Sequence, residues 1–240
     1  MFMSKIVGLS TGSVYLMENS INDQINILRE IGVNAIEILI AKGTDLNEKI
    51  STKNIEFLKK QKYVSLHAPF YQKEKIPYDF NKQNVERLSH FYNKINAKAI
   101  IVHPNLVNDW DILSKTDMNV CIENMSEKRN ITVKFFRNIF LKYPHFSMNL
   151  DTAHALSYGE KYLNELVEKF KERIYQVHFS DRRLVEDKLK DHQTISSCTN
   201  LEKFNMIKKL KCPIIIELTS ETNKDKLKSE IEFVKEFLPK

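Results

Sequence analysis

Eight short apolar runs, each followed by a stretch with helical periodicity, constrain this chain more than any other feature. The runs are Lys5–Ser10, Ala35–Ile40, Tyr63–His67, Ala99–Val102, Val120–Ile122, a segment led by Phe146, Met148 and Leu150 into Asp151, Ile174–Val177 and Pro213–Ile216. Near-continuous apolar runs of this length suit parallel strands covered on both faces. Between them, apolar residues recur at helical spacing. Ile25, Ile27, Leu28 and Ile31 follow capping residues at Ser20 and Asn22 and stop at Gly32. Val85, Leu88, Phe91, Tyr92 and Ile95 form a second stripe, which reads as core. Further helices are predicted over Lys53–Lys62, Thr132–Lys142, Tyr162–Arg173, Leu201–Leu210 and Lys226–Leu238. A stunted one falls within Asp109–Lys115, and Ser180–Ser197 reads as a long polar loop.

Strands alternating with helices imply right-handed βαβ units and a parallel sheet. Eight units in 240 residues fit an α/β fold of one kind, a single (β/α)8 TIM barrel, with residues 1–240 as one domain. A doubly wound open sheet is the runner-up. It is disfavoured because Gly8 and Gly12 after the first strand do not make GxGxxG, and five glycines in all leave little for phosphate-cradling loops.

Composition narrows the setting. Three cysteines without metal-type spacing suit a reducing compartment. Met1 to Lys5 runs straight into a strand, and no apolar run approaches membrane-spanning length, so a cytoplasmic protein, a monomer with no membrane partner, is expected. The net charge of +6 suits a polyanion partner, but it equally suits solubility, because lysine is spread over many helices.

The chemistry lies at the strand ends. His67, His103, Glu123, Asp151, His178 and Glu217 each stand at the C-terminal end of a predicted strand, with His154 three residues past Asp151. In a barrel those ends converge on one mouth. Taken singly, each reads as a hydrogen-bonded rim residue. Together they are costly to desolvate unless cations neutralise them. Carboxylate and neutral imidazole are the ligands of zinc, manganese and iron, so a metal site is expected. His90, on a helix, and His145, in a turn, stand apart.

The ordered motifs carry a resemblance. Ser65-Leu-His-Ala-Pro69, Ile101-Val-His-Pro104, Ile122-Glu-Asn124, Leu150-Asp-Thr-Ala-His-Ala155, Val177-His178 and Ile216-Glu-Leu218 resemble those of endonuclease IV. That family is the apurinic/apyrimidinic endonuclease within the xylose-isomerase-like TIM barrels. The resemblance implies up to three Zn2+. His67 and His103 would hold the first, with Glu123 bridging to a second held by Asp151, His178 and Glu217. His154, with an Asp-x-His pair, would serve the third. Here Asp191 stands where the pattern asks, but His192 follows it directly. Glycines that normally follow this pair and the Glu-Asn are absent. Glu123, His154 and Glu217 would be catalytic, and a hydroxide formed on the metal would cleave DNA 5′ to an abasic site. Phe70, Tyr71, Asn124, Arg182 and Arg183 are the residues placed to touch substrate, the two aromatics as a wedge or as rim packing.

A rival class fits the same barrel: a sugar isomerase or epimerase. There Glu123, Asp151, His178 and Glu217 would hold one Mn2+ or Mg2+, and the two glutamates would shuttle a proton at carbons flanking a carbonyl of a small sugar. His67 and His103 separate the two, because a one-metal sugar site has no need of two more imidazoles. A metal-dependent binding protein without turnover is a third possibility.

Overall fold

The computed structural model describes residues 5–129, 131–219 and 221–239. Residues 1–4, the start of the run into the first strand, lie outside the described residues. Twelve strands are present among them: β1 (Val7–Ser10), β2 (Ala35–Leu39), β3 (Tyr63–His67), β4 (Tyr71–Lys73), β5 (Ile76–Pro77), β6 (Ala99–Val102), β7 (Val120–Glu123), β8 (Ser147–Asp151), β9 (Ile174–Phe179), β10 (Asp181–Val185), β11 (Lys188–Gln193) and β12 (Ile214–Ile216). Eight of them close into a barrel in the order β1-β12-β9-β8-β7-β6-β3-β2. Every pairing around it is parallel. The expected (β/α)8 barrel is therefore the observed one.

Helices α1 (Ile21–Ile31), α2 (Thr52–Lys59), α3 (Lys82–Lys94), α4 (Trp110–Ser114), α5 (Val133–Lys142), α6 (Thr152–Leu156), α7 (Glu160–Phe170) and α8 (Lys224–Phe237) fill the crossovers. α1 shows why the local sequence suffices. The Ser20 side chain accepts the Asp23 amide at the start, and Gly32 takes a left-handed φ of 84° at the end.

Two segments differ from expectation. Ser180–Ser197 is not a loop: β10 and β11 pair as an antiparallel hairpin standing over the mouth. Leu201–Leu210 is not an α-helix but two 3-10 turns, Leu201–Phe204 and Ile207–Lys209. The reason is in the spacing. Leu201, Phe204, Ile207 and Leu210 recur every three residues, the period of a 3-10 helix. A second small hairpin, β4 and β5, follows β3.

Inside the barrel, alternate residues stack in layers, because side chains alternate in direction along a strand. The floor is apolar: Ala35, Tyr63, Ala99, Ile101, Cys121 and Ile215 pack as a cluster separate from the main core. Above it, two residues further along several strands, lies a polar layer of Glu37, Ser65, Asn149 and Gln176, all buried. The strand-end residues form the top.

Gly8 permits the close approach of β1 to β2. A Cβ built there would stand 2.2 Å from the Ala35 carbonyl oxygen. Gly8→Ala is therefore expected to destabilise the fold by about 1–3 kcal/mol or more. Denaturant unfolding checks this, and an unchanged midpoint would contradict it.

Candidate metal centre

The barrel brings His67, His103, Glu123, Asp151, His154, His178, His192 and Glu217 into one connected cluster. Four overlapping groups each place three donor atoms within 4.8 Å of one another: His67/His103/Glu123, Asp151/His154/His192, Glu37/His178/Glu217 and Glu123/Asp151/His178.

His178 is the hub. Its Nε2 lies 2.8 Å from Glu37 Oε2. A carboxylate can only accept, so the ring proton sits on Nε2. Nδ1 then faces Glu217 at 3.0 Å, Glu123 at 3.4 Å and Asp151 at 3.8 Å. It makes no hydrogen bond, and neither does Asp151 Oδ2, although both are buried. A bare imidazole nitrogen among carboxylates requires a proton or a cation between them. This is the observation that makes the donor set fit a divalent metal.

Glu123 collects the other imidazoles. His67 Nε2 lies 3.3 Å from Oε2, His103 Nε2 3.6 Å and His154 Nδ1 3.1 Å from Oε1. His67 Nδ1 is 3.0 Å from the Ala68 carbonyl, which fixes its proton there and aims Nε2 at the carboxylate. Electrostatics follow from this geometry. Burial pulls His154 down, but the Asp151 and Glu123 carboxylates outweigh it and lift the ring to about 10. For His178 burial is likewise overridden, by Glu37, Glu217 and Glu123, and the ring is raised well above its ordinary value. Burial pushes Glu123 and Glu217 up, yet the surrounding imidazoles hold both carboxyls below the ordinary range. His103 goes the other way, because burial wins over its contact with Glu123.

The Asp-Thr-Ala-His segment explains itself. Asp151 Oδ1 accepts the His154 amide at 2.7 Å and so starts α6. The Thr152 hydroxyl donates to the Ser180 carbonyl at 2.6 Å, tying α6 to the end of β9. Asn124, expected at the substrate, bonds to the end of β8. Its amide donates to the Asp151 carbonyl and accepts the Asp151 amide, each at 2.8 Å.

Asp191 and His192 part company. His192 adopts a φ of 56° where the β10–β11 register shifts. This bulge brings its ring to 3.7 Å from Glu217 and 4.0 Å from Asp151. Asp191 is not among the clustered donors, and its carboxylate accepts from Arg182 Nη1 at 2.9 Å. Arg182 also faces Glu127 at 3.7 Å, and Arg183 donates to the Ser197 carbonyl at 2.8 Å. Both arginines are thus engaged within the protein. Phe70 stacks on His103 and meets His67 edge-on. Tyr71 is partly exposed and lines, with Tyr15 and Phe70, a groove of about 880 Å³ that opens on Glu217 and His192.

One participant escaped the sequence reading: Glu37, wholly buried beneath His178. The signal was a carboxylate in the middle of an otherwise apolar strand.

No protein-family profile and no curated protein matches the chain. Solved structures do. A D-tagatose 3-epimerase-like protein superposes with a TM-score of 0.66 at 20% identity, over 96% of each chain. The probable 3-DHS dehydratase AsbF from Bacillus anthracis gives 0.67 at 14% identity, over 96% of this chain and 98% of its own. D-Allulose 3-epimerase from Methylomonas sp., in complex with D-allulose, gives 0.67 at 13%, over 98% of each. These likenesses show the barrel fold alone.

Proposed function

We propose that the protein is a divalent-metal-dependent isomerase or epimerase acting on a small polyhydroxylated carbonyl compound, a sugar or sugar derivative. The observation that carries this is His178 Nδ1, unpartnered among Glu123, Asp151 and Glu217. Those four residues would hold one Mn2+ or Mg2+. When bound, the cation supplies polarisation of substrate oxygens. Glu217, which lines the groove, and Glu123, which faces the same His178 nitrogen, would exchange protons with carbon beside a carbonyl. One glutamate takes the proton and the other returns one. His67 and His103, 3.3 and 3.6 Å from Glu123, would then act by orienting its carboxylate. The groove suits a small ligand. The arginines expected to grip DNA phosphates are paired internally, and Phe70 is packed rather than free to wedge.

A second reading, a multinuclear zinc phosphodiesterase, is favoured by one observation: His67 and His103 do converge on Glu123, and His154 and His192 on Asp151. Elemental analysis of protein purified without chelator separates the two. About one cation per chain supports the isomerase, and about three zinc support the phosphodiesterase. The chemical test is hydrogen exchange from solvent D2O into ketoses and aldoses, alongside cleavage of an oligonucleotide carrying a tetrahydrofuran abasic analogue. Cleavage without exchange would overturn the isomerase reading.

The paired imidazoles give a further expectation. His67→Ala and His103→Ala should each keep the cation at Asp151, His178 and Glu217 and lower isomerase turnover by about 10-fold, the loss of an orienting contact to Glu123. Loss of all bound metal in either variant would contradict the assignment.

A further inference from the structure

We infer that Glu37 is a positioning residue: it locks His178 in the form that presents Nδ1 to the cation, without itself being a ligand. This rests on the reading that His178 holds the metal. Glu37 lies in the polar layer, fully buried, well below the mouth. Its Oε2 accepts from His178 Nε2 and from Gln176 Nε2, both at 2.8 Å, and from the Ser65 hydroxyl at 3.3 Å.

Two features separate positioning from ligation. Glu37 Oε2 and His178 Nε2 are already in hydrogen-bond contact, which leaves no room for a cation between them. The nitrogen left free is the other one, and it faces the three carboxylates of the mouth. Burying a carboxylate here is costly, and a function that needs its charge explains its presence. A metal-bound imidazole whose second nitrogen donates to a carboxylate is oriented by that bond and made a better donor.

The layer also reaches the far side of the centre. The Gln176 amide donates to the Asn149 side-chain oxygen at 3.2 Å, and the Asn149 amide donates to Glu123 Oε2 at 3.2 Å. The Tyr63 hydroxyl supports Gln176 from below at 2.9 Å. Glu37 thus belongs to a buried network that touches two proposed ligands at once.

The test is Mn2+ and Zn2+ affinity, measured by calorimetry and by competition with a chelating dye, on the full chain. Glu37→Gln should weaken binding by about 10–100-fold, because its neutral amide can turn its NH2 towards His178 and move the ring proton to Nδ1. Glu37→Asp should recover part of the loss. In zinc-loaded wild type, ring 15N spectra should show His178 protonated at Nε2. A folded Glu37→Gln protein with wild-type affinity overturns the inference, and so does a proton on Nδ1 in the zinc-loaded wild type, which needs no variant to fold. If His178→Ala binds as well as wild type, the metal centre itself falls, and Glu37's role with it. If His178→Ala loses the metal while Glu37→Gln does not, only Glu37's role falls.

Discussion

Glu123→Gln is expected to abolish turnover, by about 100-fold or more, and to strip the protein of bound cation. Four imidazoles and an amide converge on its carboxylate. His67, His103, His154 and His178 all lie within 3.1–3.6 Å of its two oxygens, and Asn149 donates to it. The glutamine keeps the shape but loses the charge, and its NH2 must face at least one imidazole. His154 and His178, whose protons the carboxylates stabilise, are left with a neutral neighbour. Removing one partner of a buried charged set costs about 3–5 kcal/mol, so the metal-free variant should also melt well below wild type. Glu217→Gln should lose metal and activity too, but with a smaller fall in stability, because Glu217 is partly exposed at the groove. Metal content after gel filtration and calorimetric melting check both. Full metal content in Glu123→Gln would sink the assigned centre.

The barrel was legible because each level of the sequence points the same way. Apolar runs such as Ala99–Val102 alternate with amphipathic stretches such as 84–95, and caps sit at the joints. The strand-end residues were legible because the barrel converts strand ends into one mouth, so His67 and Glu217, 150 positions apart, become neighbours of the same cluster. What escaped depends on tertiary contacts. Whether Asp191 or His192 turns inward is decided by a bulge with a left-handed residue, and two adjacent polar residues do not announce which will bulge. Asn124 beside Glu123 reads as a substrate contact, and nothing in the sequence announces that the β8 backbone one strand away takes both ends of its amide. Period two places Ser65 below His67, Asn149 below Asp151 and Gln176 below His178, so a polar residue two before a polar strand end marks the layer beneath the mouth.

Metal binding is expected to release protons at pH 7 and to tighten as pH rises towards about 10. In the metal-free protein the cluster's protons do the work of the cation. His154 is lifted to about 10 by Asp151 and Glu123 against the pull of burial, so the folded chain holds a proton there that the unfolded chain, with an ordinary value of about 6.5, gives up. The raised His178 acts in the same direction. Their contribution to stability is fully present below about 6.5 and is lost as pH rises through the folded values. Glu123 and Glu217, held below the ordinary carboxylate range, contribute stability above about 4.3 that is lost as pH falls through their lower folded values. His103, pushed down by burial, costs stability once pH drops below its ordinary value. The metal-free protein should therefore be most stable in mildly acidic solution and weaken steadily from about pH 6.5 to 10. A bound cation replaces those protons, so the loaded protein should lack that decline and gain most over the metal-free form at high pH. Denaturant melts at pH 5, 7 and 9, with chelator or with Mn2+, measure both branches. Calorimetric titration in buffers of different ionisation enthalpy counts the protons released. A metal-free protein that grows more stable from pH 7 to 9, or binding with no proton released, would show that the imidazoles do not carry those protons and would remove the electrostatic case for a cation at His178.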